Sequence, residues 1–549
     1  MPIPHPLVKK KLAWTLTVIA AAVHLVGLFV PIFSIDSALY AVIAKSFVTT
    51  GDWMNIYVDG TDWLDKPHFP FWLEALSMQL FGINGAAYRL PSVLFCFAGV
   101  AYTYRLARDL YNRDTALLSV LLLITSLNLF IANTDVRAEA MLVGLMMGGV
   151  YHFYRSAEGG SLWHLVAGSI FSAAAVMTKG PFVVIFYAAP IGAYLAYKRE
   201  WKSLFSWRWL LVGMIVAILT IPELAILYRQ FDMHPEKVIL GETNVSGLRY
   251  FFWDTQFGRF FNNGPFRGQG SPIFFVHTLI WAFAPWALLA YTAIAKRAAD
   301  IVRGRGVNEL MTLGGFVVIF LMFSASRFQL PHYTNVLFPF LSIMAADLLL
   351  TSLGTSRAVQ WILRISLGGF LLLIIPGIGL LEYLFGESPI IAAVIAMITI
   401  GVLIVVLLKL LRNFDVTLIY ASAMAVTMFA GYCSLAFFPR LLHYQAGYEA
   451  ARLVNTQYVD QPIAESAYDH VFEFYVRSKV RFAGSIDDTS PGEIILAEQE
   501  FRDRLDAADK PYDVIGTFDE FRVSRPTREF LDPTTRPSIV AHKFLIRIR

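Results

Sequence analysis

Apolar segments of about 20 residues recur along almost the whole chain, and they constrain its fold more than any other feature. A helix of that length crosses the hydrocarbon core of a bilayer. Windows of this kind, bounded by charged residues, Pro or Gly, lie at 12–32, 86–106, 115–132, 138–154, 162–178, 181–197, 209–228, 272–295, 309–325, 333–352, 361–383, 388–409 and 415–437. Charged residues make up only 16% of the chain, against about a quarter in soluble proteins. The sequence therefore predicts a polytopic α-helical membrane protein with thirteen transmembrane helices.

Basic residues indicate the orientation of these predicted spans. They concentrate in alternate gaps, at Lys9, Lys10, Lys11, Arg105, Arg108, Arg113, Lys198, Arg199, Lys202, Arg208, Lys296, Arg297, Arg303 and Arg305. The positive-inside rule places these gaps and the N-terminus in the cytoplasm. The first apolar stretch lacks a small-residue cleavage site, so it is predicted to remain as a span. A net charge of +4 is explained by this topology signal and requires no nucleic acid.

Three non-cytoplasmic pieces are too long to be simple turns. Residues 33–85 and 229–271 are predicted external loops of a transmembrane domain that covers 1–437. Residues 438–549 change character, because "GEIILAEQEFRDRL" has the pattern of a strand followed by a helix and "SIVAHKFLIRIR" ends in an alternating strand. An odd number of spans places this small soluble α/β domain outside the membrane.

The first external loop combines carboxylates, a lysine and aromatic residues in "DWLDKPHFPFWLEAL", residues 62–76. Earlier in the loop, Asp36, Tyr40 and Ala44 recur at helical spacing, which predicts an amphipathic helix on the membrane surface with Asp36 in its first turn. A helix cap or a first-turn acid that complements the helix dipole explains Asp36 structurally. A functional carboxylate is the alternative interpretation.

Other polar residues are predicted to reach the same membrane face from separate gaps. Asp135 lies in the short gap "ANTDVRAE", and Lys179 lies in "MTKGP" at the end of a span. The second long loop and the gap before the tenth window contribute Arg259, Arg267, Arg327, His332 and Tyr333. Cations and acids from five gaps would therefore meet on one side of the bilayer.

Several motifs, in order, carry a resemblance to a known family. The runs "DKPHFPFWL", "YRLPSVL", "TDVRAEAML", "TKGP", "FGRF" and "LPHYTNVLFP" resemble the lipid A aminoarabinose transferases and the bacterial protein O-mannosyltransferases of the GT-C superfamily. The resemblance implies transfer of a sugar from a polyprenyl (undecaprenyl-type) phosphate to a lipid, glycan or protein acceptor. It places that reaction at the outer face of the bacterial inner membrane.

The resemblance also implies roles for individual residues. Asp36 and Asp135 match the family's two acids, Lys66 matches the lysine of its Lys-Pro motif, and Arg259 and Tyr333 match its phosphate-side residues. In the family a second acid usually follows the first-loop acid, whereas this chain has Ser37 after Asp36. Further contacts are expected from Tyr40, Lys179, Arg267, Arg327 and His332.

This chemistry accounts for the residue types. A sugar phosphate already has a good leaving group, so the requirement is stabilisation of the departing phosphate charge, which Lys66, Arg259 and Tyr333 can supply. Asp36 can accept the proton of an incoming hydroxyl, and displacement in one step would invert the anomeric centre. If the acceptor is itself a phosphate, the acids would orient the sugar instead.

Simpler interpretations stand beside these roles. Lys66 and Arg259 could reach towards lipid headgroups, and His332 could be a structural hydrogen-bonding residue. Asp65 and Asp254 are weak candidates for binding a divalent cation, and the sequence requires no cofactor. No phosphate-binding Gly-rich motif follows a predicted strand, so no nucleotide is expected.

A polyprenyl-lipid flippase or secondary transporter is the alternative function. Transporters tend to carry ionisable residues deep within their spans and to show related halves. This chain places its charges at one membrane face, which favours the transferase. A scaffolding protein would not need cations and acids from five gaps.

The predicted topology can be tested with a reporter. Because the N-terminus is predicted inside and the number of spans is odd, alkaline phosphatase fused after Arg549 should be active. Activity of a cytoplasmic reporter at that position, with an inactive phosphatase, would show that the span count is wrong.

Overall fold

A computed structural model describes residues 8–136, 138–385, 389–412 and 416–549. In these ranges eight helices are long and apolar enough to cross a membrane, and a ninth span results if one bent pair is counted as one. The eight are Lys10–Phe29, Gly85–Leu110, Leu162–Lys179, Trp201–Asp232, Pro331–Ser352, Arg357–Leu384, Ile390–Arg412 and Thr417–Tyr444. The polytopic helical fold is confirmed, but the count of thirteen spans is not.

The remaining predicted windows form shorter, broken or more polar helices. Window 115–132 is the bent pair Arg113–Ile124 and Leu127–Thr134, which meet at 55°. Window 272–295 divides into Phe274–Ala282 and Ala287–Val302. Windows 138–154, 181–197 and 309–325 become Ala138–Ala157, Pro181–Tyr197 and Met311–Ala325. Residues 388 and 415, where the last two predicted windows begin, lie outside the described ranges.

The first loop contains the predicted helix with Asp36 in its first turn, Ile35–Thr50. Its cap is Ser34, whose side chain accepts a hydrogen bond from the Ser37 backbone N–H at 3.2 Å. Asp36 is therefore a first-turn acid and not the cap, which corrects one of the two structural interpretations. The helix ends at Gly51, which has a left-handed φ of 75° that glycine adopts without steric cost.

The rest of the first loop is a hairpin and a second helix. Strands β1 (Tyr57–Val58) and β2 (Thr61–Asp62) pair antiparallel around an Asp-Gly turn. The helix Phe69–Phe81 then follows the Lys-Pro motif, with Pro70 in its first turn, where a missing N–H costs no helical bond. The helical part of the second loop comprises Gly247–Arg249, Tyr250–Gly258 and Arg259–Phe261.

The C-terminal region is built on a five-stranded mixed sheet with the order β4-β3-β5-β7-β6. The strands are β3 (Ile463–Glu465), β4 (Val480–Phe482), β5 (Ile494–Glu498), β6 (Tyr512–Glu520) and β7 (Ala541–Ile548). Helices Ala446–Gln457, His470–Tyr475, Gln499–Ala507, Arg528–Leu531 and Arg536–Ile539 accompany the sheet. The predicted strand-then-helix pattern and the final strand are confirmed.

This C-terminal region packs directly on the first loop. Lys45 Nζ, on the helix Ile35–Thr50, donates hydrogen bonds to the carbonyl oxygens of Glu473 (2.5 Å) and Val476 (2.6 Å). His470 Nε2 lies 2.9 Å from Asp59 Oδ1 in the hairpin turn. Buried apolar residues of the loop helices share one core with residues of His470–Tyr475. The C-terminal region therefore holds the loop that carries Lys66.

Candidate active site

A cavity with about 1060 Å³ of atom-free space, part of it open to solvent, lies where both long loops meet the helix ends. Lys66, Lys179, Arg259 and Tyr333 all line it. They come from the first loop, the end of Leu162–Lys179, the second loop and the start of Pro331–Ser352. The structure thus brings together four of the residues singled out in the sequence.

Two of these cations share one carboxylate. Lys66 Nζ donates to Asp65 Oδ2, and Arg259 Nη2 donates to Asp65 Oδ1. The three side chains are only 13–16% exposed. Burial lowers the pKa of Lys66 to about 8, although the Asp65 carboxylate opposes the shift. Burial alone would raise the pKa of Asp65, but Lys66 and Arg259 hold it below its usual value.

A second charged group lines the cavity beside the first. Lys179 Nζ donates to Glu139 Oε1, and His332 Nε2 lies 3.7 Å from Glu139 Oε2. The Lys179 ammonium also lies 4.8 Å from the centre of the Tyr333 ring, within the range of a cation–π contact. Glu139 is therefore the buried counter-ion of Lys179, which the sequence predicted at this face of the membrane.

A buried histidine–glutamate pair holds the Lys-Pro motif against the helix Trp201–Asp232. The backbone N–H of His68 donates to Glu223 Oε2 at 3.1 Å, and its ring Nδ1 lies 3.1 Å from Glu223 Oε1. His68 Nε2 lies 3.0 Å from the Met54 carbonyl oxygen, so both ring nitrogens have an oxygen within hydrogen-bond distance. Both side chains are almost inaccessible, at 2% and 0% exposed. Glu223 lines the cavity and fixes the residue two positions after Lys66.

The rest of the cavity wall combines a few polar atoms with many apolar side chains. Three buried atoms, Arg259 Nε, the Tyr250 hydroxyl and Gln256 Oε1, lack a hydrogen-bond partner of standard geometry among the described residues. Apolar lining comes from Leu64, Leu142, Phe182, Phe186, Leu227, Phe251, Phe260, Met322, Phe323, Phe328 and Val336. Because buried polar atoms are normally satisfied, these three are candidate ligand contacts.

Asp36 and Asp135 are not among the residues that line the cavity. Ser34 Oγ donates to Asp135 Oδ1 at 2.5 Å, so Asp135 is tied to the cap of the helix that carries Asp36. Asp36 itself is exposed. Tyr40 contacts the rings of Trp63 and Phe71 edge-on. Asp135 therefore lies at the start of the helix that carries both Asp36 and Tyr40.

The other predicted contacts and the metal candidates lie elsewhere. Arg267 and Arg327 are exposed and do not line the cavity. Asp254 pairs with Arg249 at 3.6 Å, whereas Asp65 is occupied by two cations. Within the described ranges no group of three or more His, Cys, Asp and Glu residues could hold a metal ion.

Sequence reasoning missed the buried partners. Glu139 lies four residues after Asp135 in the quoted motif, where it looks like an ordinary first-turn acid of Ala138–Ala157. Glu223 interrupts the apolar run "LTIPELAIL", and an ionisable residue inside a predicted span was a usable signal. Tyr250 and Gln256 carry no comparable signal in an aromatic loop.

Part of the chain matches a family of sugar transferases. The model of the dolichyl-phosphate-mannose-protein mannosyltransferase family matches residues 65–226. The undecaprenyl phosphate-alpha-4-amino-4-deoxy-L-arabinose arabinosyl transferase of Edwardsiella ictaluri is 25% identical over 67% of this chain and 66% of its own length. The corresponding protein of Pseudomonas aeruginosa is 26% identical over 56% of this chain. The matched stretches span 53–66% of these two relatives.

A solved structure shares the fold across nearly the full length. ArnT from Cupriavidus metallidurans bound to undecaprenyl phosphate aligns with a TM-score of 0.73 at 18% identity, covering 98% of both chains. The archaeal oligosaccharyltransferase AglB from Archaeoglobus fulgidus aligns at 0.50 over 86% of this chain and 64% of its own. The chain therefore has the fold of the ArnT structure and is a multi-pass membrane protein, and the resemblance stated from the motifs is confirmed.

The His68–Glu223 pair predicts a difference between two substitutions. Glu223→Ala leaves a buried backbone N–H and a buried ring nitrogen without their acceptor, which should cost about 3 kcal/mol of stability. Glu223→Gln keeps an acceptor oxygen and should cost about 1 kcal/mol. Thermal unfolding in detergent measures both, with the exposed Glu200→Ala as control. Equal Tm values for Glu223→Ala and the wild type would contradict the pairing.

Proposed function

We propose that this protein is an integral membrane glycosyltransferase that moves a sugar from a polyprenyl phosphate to a lipid, glycan or protein acceptor. The observation that carries the proposal is the cavity in which Lys66, Lys179, Arg259 and Tyr333 converge on apolar walls. A polyprenyl phosphate has matching chemistry, with an anionic head on an apolar tail. The fold shared with a structure bound to undecaprenyl phosphate supports the same conclusion.

In this proposal the phosphate lies between the cations. Arg259 and Lys66 offer charge-assisted donors from opposite loops, and the Tyr333 hydroxyl adds a neutral donor. The Tyr250 hydroxyl and Arg259 Nε line the same cavity and would complete the set. Donors held in a poorly hydrated cavity stabilise developing charge more strongly than donors in water.

The proposed step is a single displacement. The bond between the anomeric carbon and the phosphate oxygen breaks, and its electron pair leaves with the phosphate. An acceptor oxygen forms the new bond from the opposite face, so the anomeric centre is inverted. If the acceptor is a hydroxyl, its proton passes to a carboxylate, for which we propose Asp36. Asp135 is the second candidate acid, and its bond with Ser34 would position Asp36.

We place this reaction at the outer face of the bacterial inner membrane. The basic residues in alternate gaps between the predicted spans favour a cytoplasmic N-terminus. The first loop and the C-terminal region pack together, so they lie on the same side of the membrane. Both therefore face away from the cytoplasm in this proposal.

The direct test of the proposal is product formation. Purified protein in detergent, given a polyprenyl-phosphate sugar and envelope lipid, should release polyprenyl phosphate and form a new glycoside. Mass spectrometry of envelope glycolipids and glycoproteins, from cells with and without the protein, should identify the sugar and the acceptor. Movement of labelled lipid across vesicles without a new glycosidic bond would indicate a transporter instead.

The proposed phosphate site predicts the effect of removing a cation. Lys66→Ala and Arg259→Ala should each weaken binding of polyprenyl phosphate by about tenfold to a hundredfold, because a charge-assisted contact contributes about 1.5–3 kcal/mol. Expression and monodispersity should stay near the wild type. Arg267→Ala is a suitable control, because this exposed arginine of the same loop does not line the cavity. Unchanged affinity in both variants would favour contacts with lipid headgroups.

The proposed acid predicts a loss of turnover without a loss of fold. Because Ser34 caps the helix, Asp36→Asn keeps the cap, and the loss of its first-turn charge should cost about 0.3–1 kcal/mol. Turnover at saturating donor should fall by roughly a hundredfold or more, as for loss of a general base, while donor binding persists. Asp52→Asn in the same loop is the matched control. If Asp36→Asn turns over at the wild-type rate, Asp36 only complements the helix dipole. If turnover is lost only in Asp135→Asn, Asp135 is the general base instead.

A further inference from the structure

Asp65 occupies the position that a phosphate would need. One of its oxygens accepts from Lys66 Nζ and the other from Arg259 Nη2, and the residue itself lines the cavity. Two oxygens of a phosphate would use the same two donors. A phosphate that enters must therefore share Lys66 and Arg259 with Asp65 or displace it.

Asp65 is ionised in this position. Lys66 and Arg259 hold its pKa below the usual value against the opposing effect of burial. The carboxylate also keeps two like charges together, because the Lys66 ammonium and the Arg259 guanidinium repel each other. Asp65 thus has two opposite effects on an anionic ligand, since it preorganises the donors and repels the ligand.

The charge of the ligand decides which effect dominates. In the proposed reaction the donor is a phosphodiester with one negative charge. The product is a phosphomonoester whose second pKa is about 6, so it carries close to two charges at neutral pH. Repulsion by a fixed carboxylate grows with the charge of the ligand.

We propose that Asp65 is a specificity-determining residue that weakens binding of the polyprenyl phosphate product relative to the donor and so promotes product release. This inference rests on the proposed function. It also gives Asp65 a role other than metal binding. The inference predicts an unusual direction of change in affinity. Removing the Asp65 carboxylate from the site should tighten the binding of the product.

The test compares two ligands on Asp65→Asn, a substitution that keeps the shape and an acceptor oxygen. The probes are undecaprenyl phosphate and its methyl phosphodiester, with binding measured in detergent at pH 6.5. At this pH Lys66, with a pKa of about 8, is cationic in the wild type. We expect Asp65→Asn to bind the monoester about tenfold more tightly and the diester less than about threefold more tightly.

Asp62→Asn is the matched control. Asp62 lies in the same loop, is partly buried and pairs with Lys237 at 3.0 Å, but it does not line the cavity. Its affinities for both probes should stay within about twofold of the wild type. If Asp62→Asn tightens binding as much as Asp65→Asn does, the effect comes from the change in net charge of the protein. That result would overturn the inference.

The remaining outcomes separate the two proposals. If the wild type binds undecaprenyl phosphate but Asp65→Asn binds both probes more weakly or with unchanged affinity, preorganisation dominates and the inference is wrong. Equal tightening for both probes also overturns it, because no discrimination remains. If the wild type binds neither probe, the proposed function itself fails. Circular dichroism and Tm of Asp65→Asn show whether the variant is folded before affinities are compared.

Discussion

The burial of cations in a largely apolar cavity is the constraint on which this site depends. Removing an ion from water costs several kcal/mol unless a counter-ion and hydrogen bonds replace the hydration. The chain meets this requirement by giving Lys66 and Arg259 the Asp65 carboxylate and Lys179 the Glu139 carboxylate. Each cation is thereby held at the cavity wall, because a lone buried ammonium would lose its proton or reach for water.

These pairs also fix the fold around the cavity, because each one joins distant parts of the chain. Asp65 links the first loop to the second, and the bond from His68 to Glu223 links the first loop to the helix Trp201–Asp232. The C-terminal region holds the other side of the loop through Lys45. A loop with only two short strands and two helices thus gains a defined position for Lys66, which is what a preorganised anion site requires.

The helical membrane fold and four cavity residues could be predicted from the sequence, because both leave local signals in it. Apolar length and basic gaps are local signals, and Lys66, Lys179, Arg259 and Tyr333 interrupt aromatic or apolar runs at one predicted membrane face. Their counter-ions depend on contacts across the chain, such as that between Asp65 and Arg259, which no local pattern encodes. The count of thirteen spans is not confirmed for a related reason, since helices bend or divide inside continuous apolar windows.

Asp36 and Asp135 are connected to the cavity wall through one corner of the fold. Ser34 caps the helix that carries Asp36 and donates to Asp135, and Asp135 lies four residues before Glu139 on the cavity wall. In the proposed reaction, proton acceptance and charge stabilisation are performed by groups on different elements, and the hydrogen bond from Ser34 to Asp135 joins two of these elements. A sugar bound between the two groups would contact both, so its geometry would depend on how firmly this corner holds the acids relative to the cations.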